Sequence, residues 1–254
     1  MRLIAFATLL TGASAAIDCN VTRDGQTSSD IVNVICRQMT LLYARGTNEG
    51  GNLGLAVGPP LQTALAAAVG TDNLAVQGID YPADCKGAIG GSVDPFNATG
   101  SVNCADMVTA VLEYCPNTAV VISGYSQGAQ QAHGCLMRLS PEQVANIQAV
   151  VTFGDPLSAT PFDQVDAART KVFCNEGDEV CNNKPIILPP HFTYGTVAIE
   201  PAVAFITNQS SPISVTRPAP HAVSKAQKGS DLRARATVSR WISAGLAMSR
   251  RSGP

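Results

Sequence analysis

The chain has 254 residues, 45% of them hydrophobic, and 8 cysteines; its net charge of −2 conceals an asymmetry, since residues 17–206 carry 8 basic against 18 acidic side chains and residues 207–254 carry 8 against 1. An acidic body argues against nucleic acid as a partner, because a phosphate binder needs a basic patch. No two cysteines form a Cys-x2-Cys pair, which argues against zinc, and the sequence implies no metal or other cofactor.

Residues 1–16 combine a basic Arg2, an apolar stretch from Leu3 to Leu10 and the small residues Ala13-Ser14-Ala15-Ala16. That is the pattern of a secretory signal, too short to span a bilayer as a lasting helix. The mature chain is therefore expected to start near Ile17, to be secreted and to form disulfides in an oxidising compartment. No later stretch approaches about 18 uninterrupted apolar residues, so a soluble product is expected. Asn20, Asn97 and Asn208 head N-glycosylation patterns.

Strand-like apolar runs at 41–44, 74–77, 119–123, 149–153 and 170–173 alternate with helix-like segments at 61–69, 102–114 and 198–206. Such alternation predicts an α/β fold: a central, mostly parallel five-stranded sheet with helices on both faces. Ser140-Pro141-Glu142-Gln143 adds a helix start, with Ser at the cap, Pro at the first helical position and Gln three residues after the cap. About 190 residues between 17 and 206 suffice for one such domain. Beyond 207 a Pro- and Ser-rich linker leads into a basic segment at 231–251 that could form a helix. Its functional reading is attachment to a surface or wall polymer; the alternative is a disordered or trimmed extension.

The run Ala119-Val120-Val121-Ile122-Ser123 leads straight into Gly124-Tyr125-Ser126-Gln127-Gly128 and then into a segment of helical composition. Strand, sharp turn and helix in that order present a serine hydroxyl at the strand's carboxyl end. The glycines have a mechanical reason: strand and helix nearly collide two residues either side of the serine. A serine hydroxyl needs a base to take its proton, and the base needs a third group to orient it. Only three histidines exist. His133 lies two turns along the helix that follows Ser126, about 10 Å away, and reads as an ordinary helix histidine. His221 sits in the tail. His191, in a loop after Ile186-Ile187-Leu188-Pro189-Pro190, is the candidate base. For the acid, the loop after the strand at 170–173 offers Glu176, Asp178 and Glu179. Asp178, in a turn-like context after Gly177, is preferred, and the glutamates are read as solvated carboxylates.

Seven ordered stretches carry a family resemblance: Tyr43-Ala44-Arg45-Gly46-Thr47, Gly51-Asn52-Leu53-Gly54, Asp80-Tyr81-Pro82-Ala83, the Gly124 to Gly128 elbow, Phe153-Gly154-Asp155-Pro156, Cys174 to Cys181, and His191-Phe192-Thr193-Tyr194-Gly195. Together they resemble the cutinase family, fungal cutinases most closely, a family that also holds acetylxylan esterases and mycobacterial cutinase-like esterases. The resemblance implies a compact three-layer α/β-hydrolase-like sandwich and a serine carboxylic ester hydrolase, with Ser126 as nucleophile, Asp178 as acid and His191 as base. It places Thr47 at the oxyanion hole. The amide of Gln127, at a helix N-terminus, is expected there on physical grounds as well. It also implies the bridges Cys36–Cys115 and Cys174–Cys181. The second closes an eight-residue loop around Asp178, a constraint worth about 2.5 kcal/mol in the chain-entropy view. Cys19, Cys85, Cys104 and Cys135 are left with three possible pairings.

Apolar residues flanking His191 favour an acyl chain, so Ile186, Ile187, Leu188 and Phe192, with Tyr125 beside the nucleophile, are expected to bind substrate. The expected substrate is a cutin-like lipid polyester or a short to medium chain ester, handled by a monomer. The alternatives are a carbohydrate deacetylase, such as an acetylxylan esterase, and a catalytically silent secreted surface or elicitor protein. Retention of all three triad candidates argues against silence.

Overall fold

Five apolar runs pair into one sheet in the order β2-β1-β3-β4-β5: β1 (Met39–Ala44), β2 (Leu74–Gly78), β3 (Ala119–Tyr125), β4 (Ile147–Phe153) and β5 (Thr170–Phe173). Every neighbouring pair is parallel. This is a computed structural model that describes residues 22–209 apart from residue 163. The leader at 1–16, Cys19, Asn20, His221 and the tail from 210 onward lie outside the described residues.

Every residue of β1, β2 and β4 is buried, as expected for parallel strands covered on both faces. Because side chains alternate along a strand, Leu41, Tyr43, Val121 and Val151 share one face with Leu61 and Leu65 of α1 (Gly58–Val69) and Ala202 and Ile206 of α7 (Ile199–Asn208). Leu42, Ala44, Val120, Ile122 and Val150 pack on the other face with Val108 and Val111 of α3 (Thr99–Tyr114) and Ala132 and Leu136 of α4 (Gln127–Arg138). The result is the expected three-layer arrangement, with β3 at the centre of the sheet.

Four of the five strands run longer than the sequence suggests, while β5 spans the expected 170–173. β3 continues through Tyr125 because Gly124 still pairs with Ala44 and Thr152, and Tyr125 with Phe153. α5 (Pro141–Val144) starts with the full capping box, Ser140 and Gln143 each accepting from the other's amide. Two helices have no counterpart in the sequence reading, α2 (Cys85–Val93) and the single turn α6 (Tyr194–Val197). Three glycines in α2 lower its helix propensity; Asp84 offsets part of this by capping Gly87 N–H at 2.6 Å. α7 extends to Asn208, two residues past the expected end.

Cys36–Cys115 and Cys174–Cys181 are bridged as the resemblance implies. Of the open pairings, Cys104–Cys135 is formed and ties α3 to α4. Cys85 is disulfide-bonded too. Among the described residues no helix is long and apolar enough to cross a membrane.

Candidate active site

Ser126 sits between β3 and α4 with φ +56°, a backbone region that side-chain-bearing residues avoid. The two glycines around it are required by space. A Cβ on Gly124 would lie 2.2 Å from the Gly128 carbonyl oxygen, and one on Gly128 would lie 2.0 Å from the Ala44 carbonyl oxygen. The Ser126 amide donates to the Phe153 carbonyl at 2.9 Å, anchoring the turn to the end of β4.

His191 comes from the 3-10 turn Pro189–Phe192, started by two prolines, and its Nε2 lies 3.0 Å from Ser126 Oγ. Its Nδ1 lies 2.8 Å from Asp178 Oδ2. Asp178 caps the turn Glu179–Asn182, Oδ1 accepting from the Val180 amide at 3.0 Å, inside the loop closed by Cys174–Cys181. All three side chains are buried. A carboxylate only accepts, so Nδ1 carries the imidazole proton and neutral Nε2 is free to accept from the serine hydroxyl.

A fourth group joins this hydrogen-bonded chain. Tyr194 O–H donates to Asp178 Oδ2 at 2.6 Å and accepts from the Asn175 amide at 2.9 Å. Burial pushes the Asp178 carboxyl up, but hydrogen bonds from His191, Tyr194 and the Val180 amide, with the His191 charge, outweigh it and hold the group below the usual carboxylate range. Burial, with the bond to Asp178, pushes the Tyr194 phenol well above its ordinary value. The Asp178 shift fixes a sign. Its folded-state value lies below that of an unfolded aspartate, about 3.9, so the carboxylate stabilises the fold above that pH, and the contribution is lost as pH falls through the depressed value. Tyr194→Phe removes one donor and should cost about 1.5–3 kcal/mol near neutrality. Because it raises the folded value of Asp178, the difference from wild type should shrink in urea unfolding as pH drops. A pH-independent difference would assign the loss to packing alone.

The other candidates lie elsewhere. His133 is held by Asp155 at 3.0 Å, Glu176 is exposed, and Glu179 pairs with Lys184 at 2.5 Å.

Thr47 and Gln127 meet beside Ser126, Thr47 Oγ1 donating to Gln127 Oε1 at 3.0 Å. Buried Glu49 holds the loop that carries Thr47: Oε2 accepts from the Gly46 amide at 2.7 Å, and Oε1 from the Leu55 and Ala56 amides at 2.9 and 2.7 Å. Arg45 adds Nε to the Glu49 carbonyl at 2.6 Å and Nη2 to the Tyr81 carbonyl at 2.7 Å. The sequence marks neither Glu49 nor Tyr194; the signals it holds are a glutamate in a glycine-rich loop and a tyrosine three residues after His191.

A cleft beside Ser126 is lined by Arg23, Thr47, Glu49, Ala56, Tyr125, Ile187, His191 and Phe192. Of the expected substrate-binding residues, Tyr125, Ile187 and Phe192 line it; Ile186 is 42% exposed and Leu188 half-buried, and neither does. Tyr125 spends its hydroxyl on the His191 carbonyl at 2.9 Å, so its ring forms the wall and its oxygen steadies the turn beneath the base.

Residues 35–210 match the family model described as Cutinase. A cutinase of Botryotinia fuckeliana is 45% identical over 160 residues, 63% of this chain and 77% of that one. A cutinase of Hypocrea jecorina is 38% identical over 202 residues, 77% of this chain and 79% of that one. Among solved structures, a Trichoderma reesei cutinase in complex with a C11Y4 phosphonate inhibitor is 39% identical, with TM-score 0.66 over 73% of this chain and 80% of that one. An acetylxylan esterase shares the fold at TM-score 0.53 and 22% identity, covering 68% of this chain and 99% of that one. With the model spanning most of the described residues and relatives of this identity on both sequence and structure, the chain belongs to the cutinase family of esterases.

Proposed function

We propose that this protein is a secreted serine esterase that hydrolyses carboxylic esters of lipid polyesters, such as cutin, through a Ser126-His191-Asp178 triad and an acyl-enzyme. The observation that carries the reading is the unbroken chain from Ser126 Oγ to His191 Nε2, at 3.0 Å, and from His191 Nδ1 to Asp178 Oδ2, at 2.8 Å. As Ser126 Oγ bonds to the ester carbonyl carbon, His191 Nε2 takes its proton. Asp178 stabilises the imidazolium, and the proton then passes to the leaving alcohol. Water repeats the cycle, with His191 again as base, releasing the acid and restoring the hydroxyl. The amides of Thr47 and Gln127 receive the oxyanion, each donor worth about 3 kcal/mol in the transition state.

Supporting a lipid-like acyl group are the apolar walls Ala56, Ile187, Tyr125 and Phe192 and relatives named as cutinases at 38–45% identity. Supporting secretion are the signal-like pattern at 1–16 and the disulfides, since such bonds persist outside the reducing cytosol. A p-nitrophenyl ester series tests substrate class. Butyrate should be hydrolysed at least as well as acetate; a sharp preference for acetate would instead favour deacetylation, and no turnover would favour a silent protein. Fluorophosphonate labelling with peptide mapping should place the adduct on Ser126.

A further inference from the structure

Resting on the triad reading, one buried pair outside the reaction path has a reach that its distance from the serine conceals. His133 lies on α4, the helix that Ser126 begins, and is 2% exposed; Asp155, just past β4, is fully buried. His133 Nε2 is 3.0 Å from Asp155 Oδ2. Since a carboxylate only accepts, this nitrogen carries the proton. The same oxygen accepts from Thr152 Oγ1 at 2.8 Å, and Oδ1 from the Leu157 amide at 2.8 Å. The His133 ring stacks on Phe162 with centroids 4.0 Å apart. One contact from backbone, the Leu157 amide, and three between side chains therefore tie Asp155 and Phe162 to α4 and to the end of β4.

The loop touches every carrier of the triad. Phe153, at its start, accepts the Ser126 amide at 2.9 Å. Gly154, at φ +53°, lies flat against the base: a Cβ there would stand 2.7 Å from His191 Cε1 and 2.8 Å from Nδ1. Ser158 Oγ donates at 2.5 Å to the carbonyl of Cys181, in the loop that holds Asp178. Its position is set from the nucleophile's own helix, because His133 and Ser126 are rigidly joined by two turns of α4.

We propose that His133 and Asp155 are positioning residues, a strut that fixes the imidazole of His191 and the loop of Asp178 relative to the Ser126 hydroxyl. Neither touches substrate. Breaking the strut lets the imidazole drift while the apolar walls of the cleft, Ala56, Ile187 and Phe192, none of which touches His133 or Asp155, stay in place. Turnover falls and substrate affinity does not.

The test measures kcat and KM on p-nitrophenyl butyrate, fluorophosphonate labelling rate and thermal unfolding for wild type, His133→Leu, His133→Gln and Asp155→Asn. His133→Leu, which keeps bulk and loses the donor, should lower kcat and labelling rate by roughly 10- to 100-fold, with KM within about twofold of wild type. His133→Gln, whose amide nitrogen can donate from a similar reach, should recover most of the loss. A folded His133→Leu with wild-type kcat, or a glutamine variant no better than leucine, overturns the strut. If His133→Leu does not fold, Asp155→Asn decides: lowered kcat with unchanged KM supports it, and wild-type kcat overturns it. Wild-type labelling at Ser126 reports the triad separately. An unlabelled wild type sinks both readings, whereas a labelled wild type with unimpaired variants sinks only the strut.

Discussion

Replacing Ser126 with alanine should lower turnover of p-nitrophenyl butyrate by about 10⁶ and abolish fluorophosphonate labelling, with little change in unfolding midpoint. The chemical reason is that no acyl-enzyme can form, so only oxyanion stabilisation and binding remain, worth about 10³–10⁴ over water. The structural reason for an intact fold is that the Ser126 side chain contributes one hydrogen bond, to His191, whereas its backbone holds the turn through the Phe153 carbonyl. Alanine does not relieve the positive φ at this position, so any strain stored there stays. Retention of more than about 1% of activity, set against that 10⁶, would mean that another group attacks the ester.

Asp178→Asn should lower kcat by about 10⁴ through a forced change of tautomer. Asp178 accepts at both oxygens: Oδ2 from His191 Nδ1 and the Tyr194 hydroxyl, Oδ1 from the Val180 amide. Asparagine can accept at only one side. Turning its NH2 toward Val180 sets donor against donor in a buried site; turning it toward His191 makes Nδ1 an acceptor and moves the imidazole proton to Nε2. In that second state Nε2 faces Ser126 Oγ as a donor, and the serine has no base. The fall should appear in kcat with KM nearly unchanged, because Asp178 does not line the cleft. An asparagine variant within about tenfold of wild type, against the 10⁴ expected, would show that His191 needs no carboxylate.

The elements legible in the sequence are those whose cause is local. β3 and the elbow declare themselves by a β-branched run, two glycines at fixed spacing and a following helix. His191 emerges by elimination from three histidines, and the capping box of α5 is written in consecutive residues. Hidden are features that depend on partners brought together by the sheet. Tyr194 meets Asp178 across 16 residues and His133 meets Asp155 across 22; Thr47, which meets Gln127 across 80, is reached only through the family resemblance. Nothing periodic marks such residues before topology is known. His133 illustrates the limit: its distance from Ser126 along one helix argues against it as a base, yet gives no hint that it is buried against a carboxylate. α2 is hidden for the opposite reason, since its glycines obscure a helix that tertiary packing supports.

The order of the site's parts along the chain bears on how the protein is made. The base follows the hydroxyl by 65 residues, and α7, whose Ala202 and Ile206 close the core beneath the sheet, comes later still. A polypeptide emerging from the ribosome amino end first thus displays Ser126 65 residues before its partner His191. On the triad proposed above, a product truncated before residue 191 carries the serine without the imidazole that would take its proton.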